Sequence, residues 1–278
     1  VLDEADRALI KCFLINKFRG DTTLFAEGMT IVERATGWQG VGILPWFPQA
    51  RFLPAEDILD IRGKSGDARD GAPVRIAVPV LRRIANFDDL DPLAGETDVD
   101  VTLVEAGDVI PADADLILLP GSKSTISDLT FLRDQGWDID IAAHLRRGGM
   151  VMGLCGGYQM LGTKLDDPDG VEGPAGDTLG LGHLRVETVL AGDKRLTQVT
   201  AHANAFDVPV RGYEIHMGRT GGPDCDRPFL TLDGRPEGAV SADGAVIGTY
   251  LHGIFADDGF RRASVSYTHL RAHETIAD

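Results

Sequence analysis

The chain has little positive charge, few cysteines and no long apolar run. Lysine and arginine number 27 against 43 aspartates and glutamates, a formal net charge of −16 over 278 residues. Nucleic acids and anionic membrane surfaces are held through basic patches, so this balance predicts neither as a partner. No apolar stretch reaches the roughly 18 residues that a membrane-spanning helix needs, and no signal-peptide pattern is seen. The three cysteines, Cys12, Cys155 and Cys225, are odd in number and far apart. Such a set is neither a disulfide framework nor a metal-ligand cluster, so no metal site is expected, and it fits a reducing, cytoplasmic setting. There are no internal repeats and no low-complexity tract. The acidic stretch "DDPDGVEGPAGD" (166–177) invites a calcium reading, but its spacing fails the EF-hand rule and it reads as a surface loop.

What is present is an ordinary globular composition, 43% hydrophobic and 25% charged. "ALIKCFLI" (8–15) reads as a buried, parallel-type strand. "TTLFAEGMTIVERATG" reads as a helix that stops at Gly37, and "GVGILPW" as a short strand stopped by Pro45. "RGKSGDARDGAP" is polar and Gly-rich, which predicts a linker over 63–73. After it, strand-like "VRIAVPVL", "DVTLVEA", "ADLILLPG" and "MVMGLC" alternate with helix-like segments, which implies a parallel sheet covered on both faces. Within that series "NFDDLDPL" reads as the opening of a helix. From about residue 180 the pieces become shorter and more strand-like.

Active sites of open parallel sheets lie at the carboxyl ends of their strands. Three candidates fall there. "MGLCGG" places Cys155 in a G-x-C-x-G pattern, the cysteine form of a nucleophile elbow. The surrounding glycines suit a strained strand-to-helix turn, and a helix start favours the thiolate. The alternative is a structural cysteine at a glycine turn. "TYLHGIF" places His252 at another strand end, where an imidazole can move a proton to and from a cysteine. His183, His202 and His216 are its rivals. "LPGSKST" is a third turn, whose backbone N–H groups at Gly121 and Ser122, with that of Gly156, suit an oxyanion hole. A plain turn with a serine helix cap reads equally well.

These residues carry a resemblance. "GLCGGYQMLG" with "GTYLHGIF" resembles the class I glutamine amidotransferases. More narrowly, "LINKFRGD", "GVGILPW", "LPGSKSTISDL", "GLCGGYQMLG", "DPDGVEG" and "GYEIHMGRT", in that order, resemble the cobyric acid synthase family, over about residues 8–262. The resemblance implies an α/β fold: a parallel-sheet class I glutamine amidotransferase domain at 74–263, preceded at 1–62 by the C-terminal part of a P-loop-type α/β synthetase domain. It implies glutamine as the nitrogen source. It also implies a corrinoid substrate reached through the synthetase domain, and ATP with Mg for the intact synthetase, with no cofactor in this chain. The reaction implied is ATP-dependent amidation of cobyrinic acid a,c-diamide to cobyric acid in cobalamin biosynthesis. A cobyrinic acid a,c-diamide synthase, or a stand-alone cysteine hydrolase of the same fold, is the alternative.

Within the resemblance, Cys155 is the nucleophile and His252 its proton carrier. Gln159 matches the residue that contacts the glutamine substrate, and Tyr158 is a candidate pocket wall. Asn16 matches a position that reads adenine in related nucleotide folds, though Asn after a strand also serves as a turn residue. The chain departs from the pattern in three ways. No G-x-x-x-x-G-K-[ST] loop occurs, since "PGSKST" and "RGKSG" lack its spacing, so no ATP hydrolysis is expected. Ile254 stands where most class I enzymes carry the glutamate that orients the histidine, which predicts a Cys-His dyad or an acid from elsewhere, with Glu214 as candidate. Residues 264–278, "SVSYTHLRAHETIAD", show no apolar face and read as a non-native tail without function.

Overall fold

A computed structural model describes residues 4–47, 74–192 and 195–274. The linker predicted at 63–73 lies outside them. The chain divides into two units, residues 1–53 and 54–278.

In the first unit, helix α1 (Glu4–Leu9) leads into strand β1 (Cys12–Phe18), helix α2 (Ala26–Thr36) and strand β2 (Gln39–Pro45). The two strands pair in parallel. Gly37 ends α2 in the left-handed conformation, φ 76°, and its N–H closes on Glu33 O. The helix and the second strand lie close to where the sequence puts them, whereas β1 starts four residues later than expected because α1 runs to Leu9. The expectation of a buried first strand does not hold, because residues along β1 alternate between exposed and half-buried.

The second unit is built on a six-stranded sheet. Its strands are β3 (Val74–Pro79), β5 (Val99–Val104), β6 (Leu116–Leu119), β8 (Met150–Leu154), β17 (Ala239–Val240) and β18 (Val246–Thr249). The order is β17-β18-β8-β6-β3-β5, parallel throughout except for β17. Every residue of β6, β8 and β18 is buried, as the near-continuous apolar runs of a two-sided sheet require. A short ladder joins β4 (Ile84–Ala85) to β7 (Gly121–Ser122). Helices α3 (Asp91–Gly95), α4 (Thr125–Asp134), α5 (Trp137–Arg146) and α6 (Gly156–Leu161) fill the crossovers.

The shorter strands form two further sheets. Strands β9 (Lys164–Asp167), β10 (Gly176–Leu179), β11 (Glu187–Val189) and β14 (Arg219–Gly221) make one, in the order β10-β9-β11-β14. Strands β12 (Arg195–Ala203), β13 (Val208–His216), β15 (Leu230–Leu232), β16 (Arg235–Glu237) and β19 (Leu251–His252) make an antiparallel one, in the order β16-β15-β12-β13-β19. Helix α7 (Asp258–Glu274) closes the described chain. It runs through the segment read as a tail without an apolar face. That reading is corrected: Val265 and Tyr267 pack on the core and Thr268 is buried.

Register brings three strand ends to one place. Leu119 of β6 pairs with Gly153 of β8, and Thr249 of β18 pairs with Leu154. One or two residues past those pairs lie Gly121 and Cys155, and three residues past Thr249 lies His252.

Candidate active site

Cys155 joins the buried strand β8 to helix α6 with φ 51° and ψ −108°, and it is 8% exposed. A non-glycine residue at positive φ costs on the order of 1–3 kcal/mol and persists only where its surroundings impose it. Here its N–H donates to Thr249 O at 2.8 Å, and its Sγ lies 3.5 Å from Ile215 O. The turn therefore holds the thiol on a fixed axis between β8 and β13. Gly156 follows because nothing larger fits: a Cβ there would lie 2.8 Å from Ser122 N. The same test at Gly121 meets His252 Cε1 at 3.2 Å. The Gly121–Ser122 turn thus touches both the nucleophile turn and the imidazole.

His252 is fully buried, and its ring stacks on Tyr213 with centroids 5.5 Å apart. Its Nδ1 lies 2.6 Å from Asp89 Oδ2. The other oxygen of Asp89 accepts the Gly253 N–H, also at 2.6 Å. Nε2 has no hydrogen-bond partner among the described residues, and the Cys155 side chain acts on the imidazole. Burial lowers the imidazole pKa, but the hydrogen bonds and negative charge of Asp89 and Cys155 outweigh it and push it up to about 10. The imidazole therefore holds its second proton more tightly than a free one does, with Asp89 and Cys155 as the groups that act on it.

Sequence reasoning missed Asp89. It sits on the short 3-10 turn Phe87–Leu90, inside the stretch read only as the opening of a helix, and is 4% exposed. Three aspartates crowd there, at 88, 89 and 91, and nothing in their order says which one turns inward. The expectation for Glu214 is corrected. Its backbone pairs with Leu251, but its carboxylate accepts from Arg235 at 2.5 Å and is spent on that ion pair. Of the two expectations, a Cys-His dyad or an acid from elsewhere, the geometry fits the second: Asp89 stands at the imidazole where Ile254, fully buried and apolar, cannot.

A wider shell surrounds these groups. Ser122 donates its hydroxyl to the buried Asp128 at 2.6 Å. The Gln159 amide nitrogen donates to Met217 O at 3.0 Å and to Tyr250 Oη at 3.2 Å, and its oxygen accepts from Thr125 at 3.1 Å. That side chain is tied at both ends to protein. Tyr158 is corrected from pocket wall to core: it is 1% exposed, packs edge-on against Tyr250, and has its hydroxyl 3.9 Å from Cys225 Sγ. The acidic stretch is more than a surface loop. Asp167 is buried and accepts the Val171 and Glu172 N–H groups, and Glu172 in turn accepts the Thr125 N–H at the start of α4. Asn16, in the other unit, accepts the N–H of Lys17 at 2.8 Å, a local turn bond. Among the described residues no cluster of three or more His, Cys, Asp or Glu residues has metal-site geometry, and no helix is long and apolar enough to cross a membrane.

The model of the CobB/CobQ-like glutamine amidotransferase domain matches residues 75–260. The chain belongs to this family. Among curated relatives, a cobyric acid synthase of Rhodobacter capsulatus is 59% identical over 272 residues, covering 98% of this chain and 56% of its own length. One from Bradyrhizobium diazoefficiens is 58% identical over 263 residues, 95% of this chain and 54% of that protein. The chain thus spans about half the length of the curated relatives it matches. Among solved structures, PurLQS from Thermotoga maritima superposes with a TM-score of 0.54 at 20% identity, covering 70% of this chain and 98% of that one. At that identity the likeness speaks for the fold, an α/β glutamine amidotransferase sheet. The family match and the Cys155–His252–Asp89 line fall in the same unit.

Proposed function

We propose that this amidotransferase domain releases ammonia from glutamine for the amidation of corrinoid carboxylates, taking cobyrinic acid a,c-diamide to cobyric acid. The observation that carries the chemistry is Cys155, held at positive φ beside an imidazole that is itself clamped by Asp89. The observation that carries the acceptor is the name shared by relatives 57–59% identical over nearly the whole chain.

The Cys155 thiolate attacks the side-chain carbonyl carbon of glutamine. Backbone N–H groups at Gly121, Ser122 and Gly156 receive the oxyanion as the carbonyl becomes tetrahedral. His252 gives its Nε2 proton to the departing nitrogen, and ammonia leaves with a γ-glutamyl thioester on Cys155. The neutral imidazole then takes a proton from water, hydroxide adds to the thioester, and glutamate is released. Asp89 keeps the proton on Nδ1 and the ring in plane throughout. Gln159 and Thr125 brace the floor of this site from α6 and α4.

ATP and Mg belong to the proposed synthetase half, of which residues 1–62 are the C-terminal part. The residues of "PGSKST" do not fit a phosphate cradle. The Ser122 hydroxyl is held by buried Asp128 and the Lys123 N–H is bonded to Arg83 O, so neither is free for a phosphate.

The test uses Cys155→Ser. Glutamine hydrolysis by this chain is expected to vanish. In the complete enzyme, amidation driven by glutamine should vanish while amidation driven by free ammonia persists. Equal loss of both would sink the assignment.

A further inference from the structure

We propose that the buried carboxylate of Glu237 is a positioning residue for Cys155 and His252, holding the bend from which both are hung. The inference rests on the reading of Cys155 as the nucleophile. The bend is a change of sheet. Strand β18 ends at Thr249 in the parallel sheet, and β19 begins at Leu251 in the antiparallel one. The switch is made in a single residue, Tyr250. A switch of ladders leaves backbone N–H groups without strand partners, and buried orphans of that kind are costly.

Glu237, the last residue of β16, resolves this. It is 5% exposed. Its Oε1 accepts the Tyr250 N–H at 2.7 Å, and its Oε2 accepts the Thr249 hydroxyl at 2.7 Å. The oxygen of that hydroxyl accepts the Leu251 N–H at 3.0 Å. One carboxylate therefore fixes three successive residues. The first of them, through its carbonyl, holds the Cys155 N–H at 2.8 Å, and the residue after the third is His252. The nucleophile and its proton carrier thus share one anchor that hydrogen-bonds to neither.

The ionisable groups that act on Glu237 are Glu214 from β13, Arg235 from its own strand, Tyr158 from α6 and Cys225. Burial raises the Glu237 carboxyl to about 7, against the bonds from Tyr250 and Thr249 and the nearby Arg235. An ionised Glu237 offers acceptors to both partners. A protonated one turns one oxygen into a donor and loosens the clamp.

The experiment is iodoacetamide labelling of Cys155 in the whole chain, followed by mass spectrometry from pH 6 to 9, with glutamine hydrolysis measured in parallel. Wild type is expected to label at neutral pH; a Cys155 that stays unlabelled overturns the nucleophile reading, and this one with it. Glu237→Gln keeps the volume but offers only one acceptor. It is expected to slow labelling and kcat by about tenfold or more while KM stays within about twofold, as misplacement of reacting groups does. Its labelling profile should also lose the inflection near the Glu237 titration. Thr249→Val should act in the same direction, and Thr249→Ser, which keeps the hydroxyl, should label faster than Thr249→Val. A folded Glu237→Gln that labels at the wild-type rate and with the wild-type profile overturns the proposal and leaves the nucleophile intact. So does failure of both Glu237→Gln and Thr249→Val to fold, which would assign Glu237 to stability alone.

Discussion

Asp89 and His252 stand 163 residues apart in the chain and 2.6 Å apart in the fold. The contact is two-pronged, since the second oxygen of Asp89 takes the backbone N–H of Gly253. A carboxylate that holds both the ring and the peptide just beyond it fixes the imidazole in rotation as well as in tautomer. Asp89→Asn keeps the shape but presents an amide that can donate to Nδ1, which favours the wrong tautomer. The expected result is a fall in glutamine turnover of about a hundredfold to ten-thousandfold with little change in KM. Steady-state kinetics on the purified variant checks it, and turnover within threefold of wild type would remove Asp89 from the mechanism.

The same pair sets a pH dependence of stability. The imidazole of His252 is raised from an ordinary 6.5 to about 10 in the folded protein. A raised pKa means that the folded state holds the proton more tightly than the unfolded one. Its contribution is fully present below about pH 6.5 and is lost as pH rises through about 10, on the order of several kcal/mol for a group this buried. Urea midpoints between pH 6 and 10 should therefore fall in wild type and fall less in Asp89→Asn. Parallel curves for the two proteins would contradict the shift.

Glu214 gives the contrasting case. Its carboxylate pairs with Arg235, whose side chain is 54% exposed, and pairs of that kind are worth about 0–1 kcal/mol. Glu214→Gln is expected to leave kcat within about twofold of wild type and the melting point within a few degrees. A loss approaching that of Asp89→Asn would restore Glu214 as the orienting acid.

These two acids show how far the sequence could be read. The strand ends are legible because β6, β8 and β18 are largely apolar runs that stop at glycine, cysteine and a short "TYLH" segment, and the carboxyl-end rule for parallel sheets together with the family resemblance points to those stops. Cys155, His252, Gly121, Ser122 and Gly156 come together for that reason. Asp89 and Glu237 were not legible. Each depends on a contact across the fold, from a 3-10 turn in one case and a short edge strand in the other, and neither turn nor edge strand has a period to read. Glu214 of "GYEIHMG" reads as an orienting acid or as a structural hydrogen-bond partner, and its side chain goes to Arg235 on β16, the second of these. β1 was misread because an apolar run reports the residues but not what covers them.

Helix α7 carries a prediction of its own. Val265, Tyr267 and Thr268 line a small apolar cavity together with Val74, Ile76, Leu93 and Phe255, so the end of the helix closes one face of the main sheet. Deleting residues 264–278 would bare that face and cost about 2–4 kcal/mol from the lost burial of one or two large side chains. Thermal denaturation should show a lower melting point than that of the whole chain. An unchanged midpoint would return the segment to the status of a passive tail.

The oxyanion site can be separated from the nucleophile at Gly156. A methyl group there would lie 2.8 Å from Ser122 N and 2.9 Å from Ser122 Cβ, so the two turns must part to admit it. Alkylation of a thiolate by iodoacetamide develops no oxyanion, whereas attack on glutamine does. Gly156→Ala is therefore expected to lower kcat for glutamine hydrolysis by about a hundredfold or more, the usual cost of one lost oxyanion donor. Its iodoacetamide labelling rate should stay within about threefold of wild type. Loss of both reactivities together would mean that the methyl displaces the Cys155 turn itself. Retention of both would place the oxyanion donors elsewhere than on the Gly121–Ser122 and Gly156 turns.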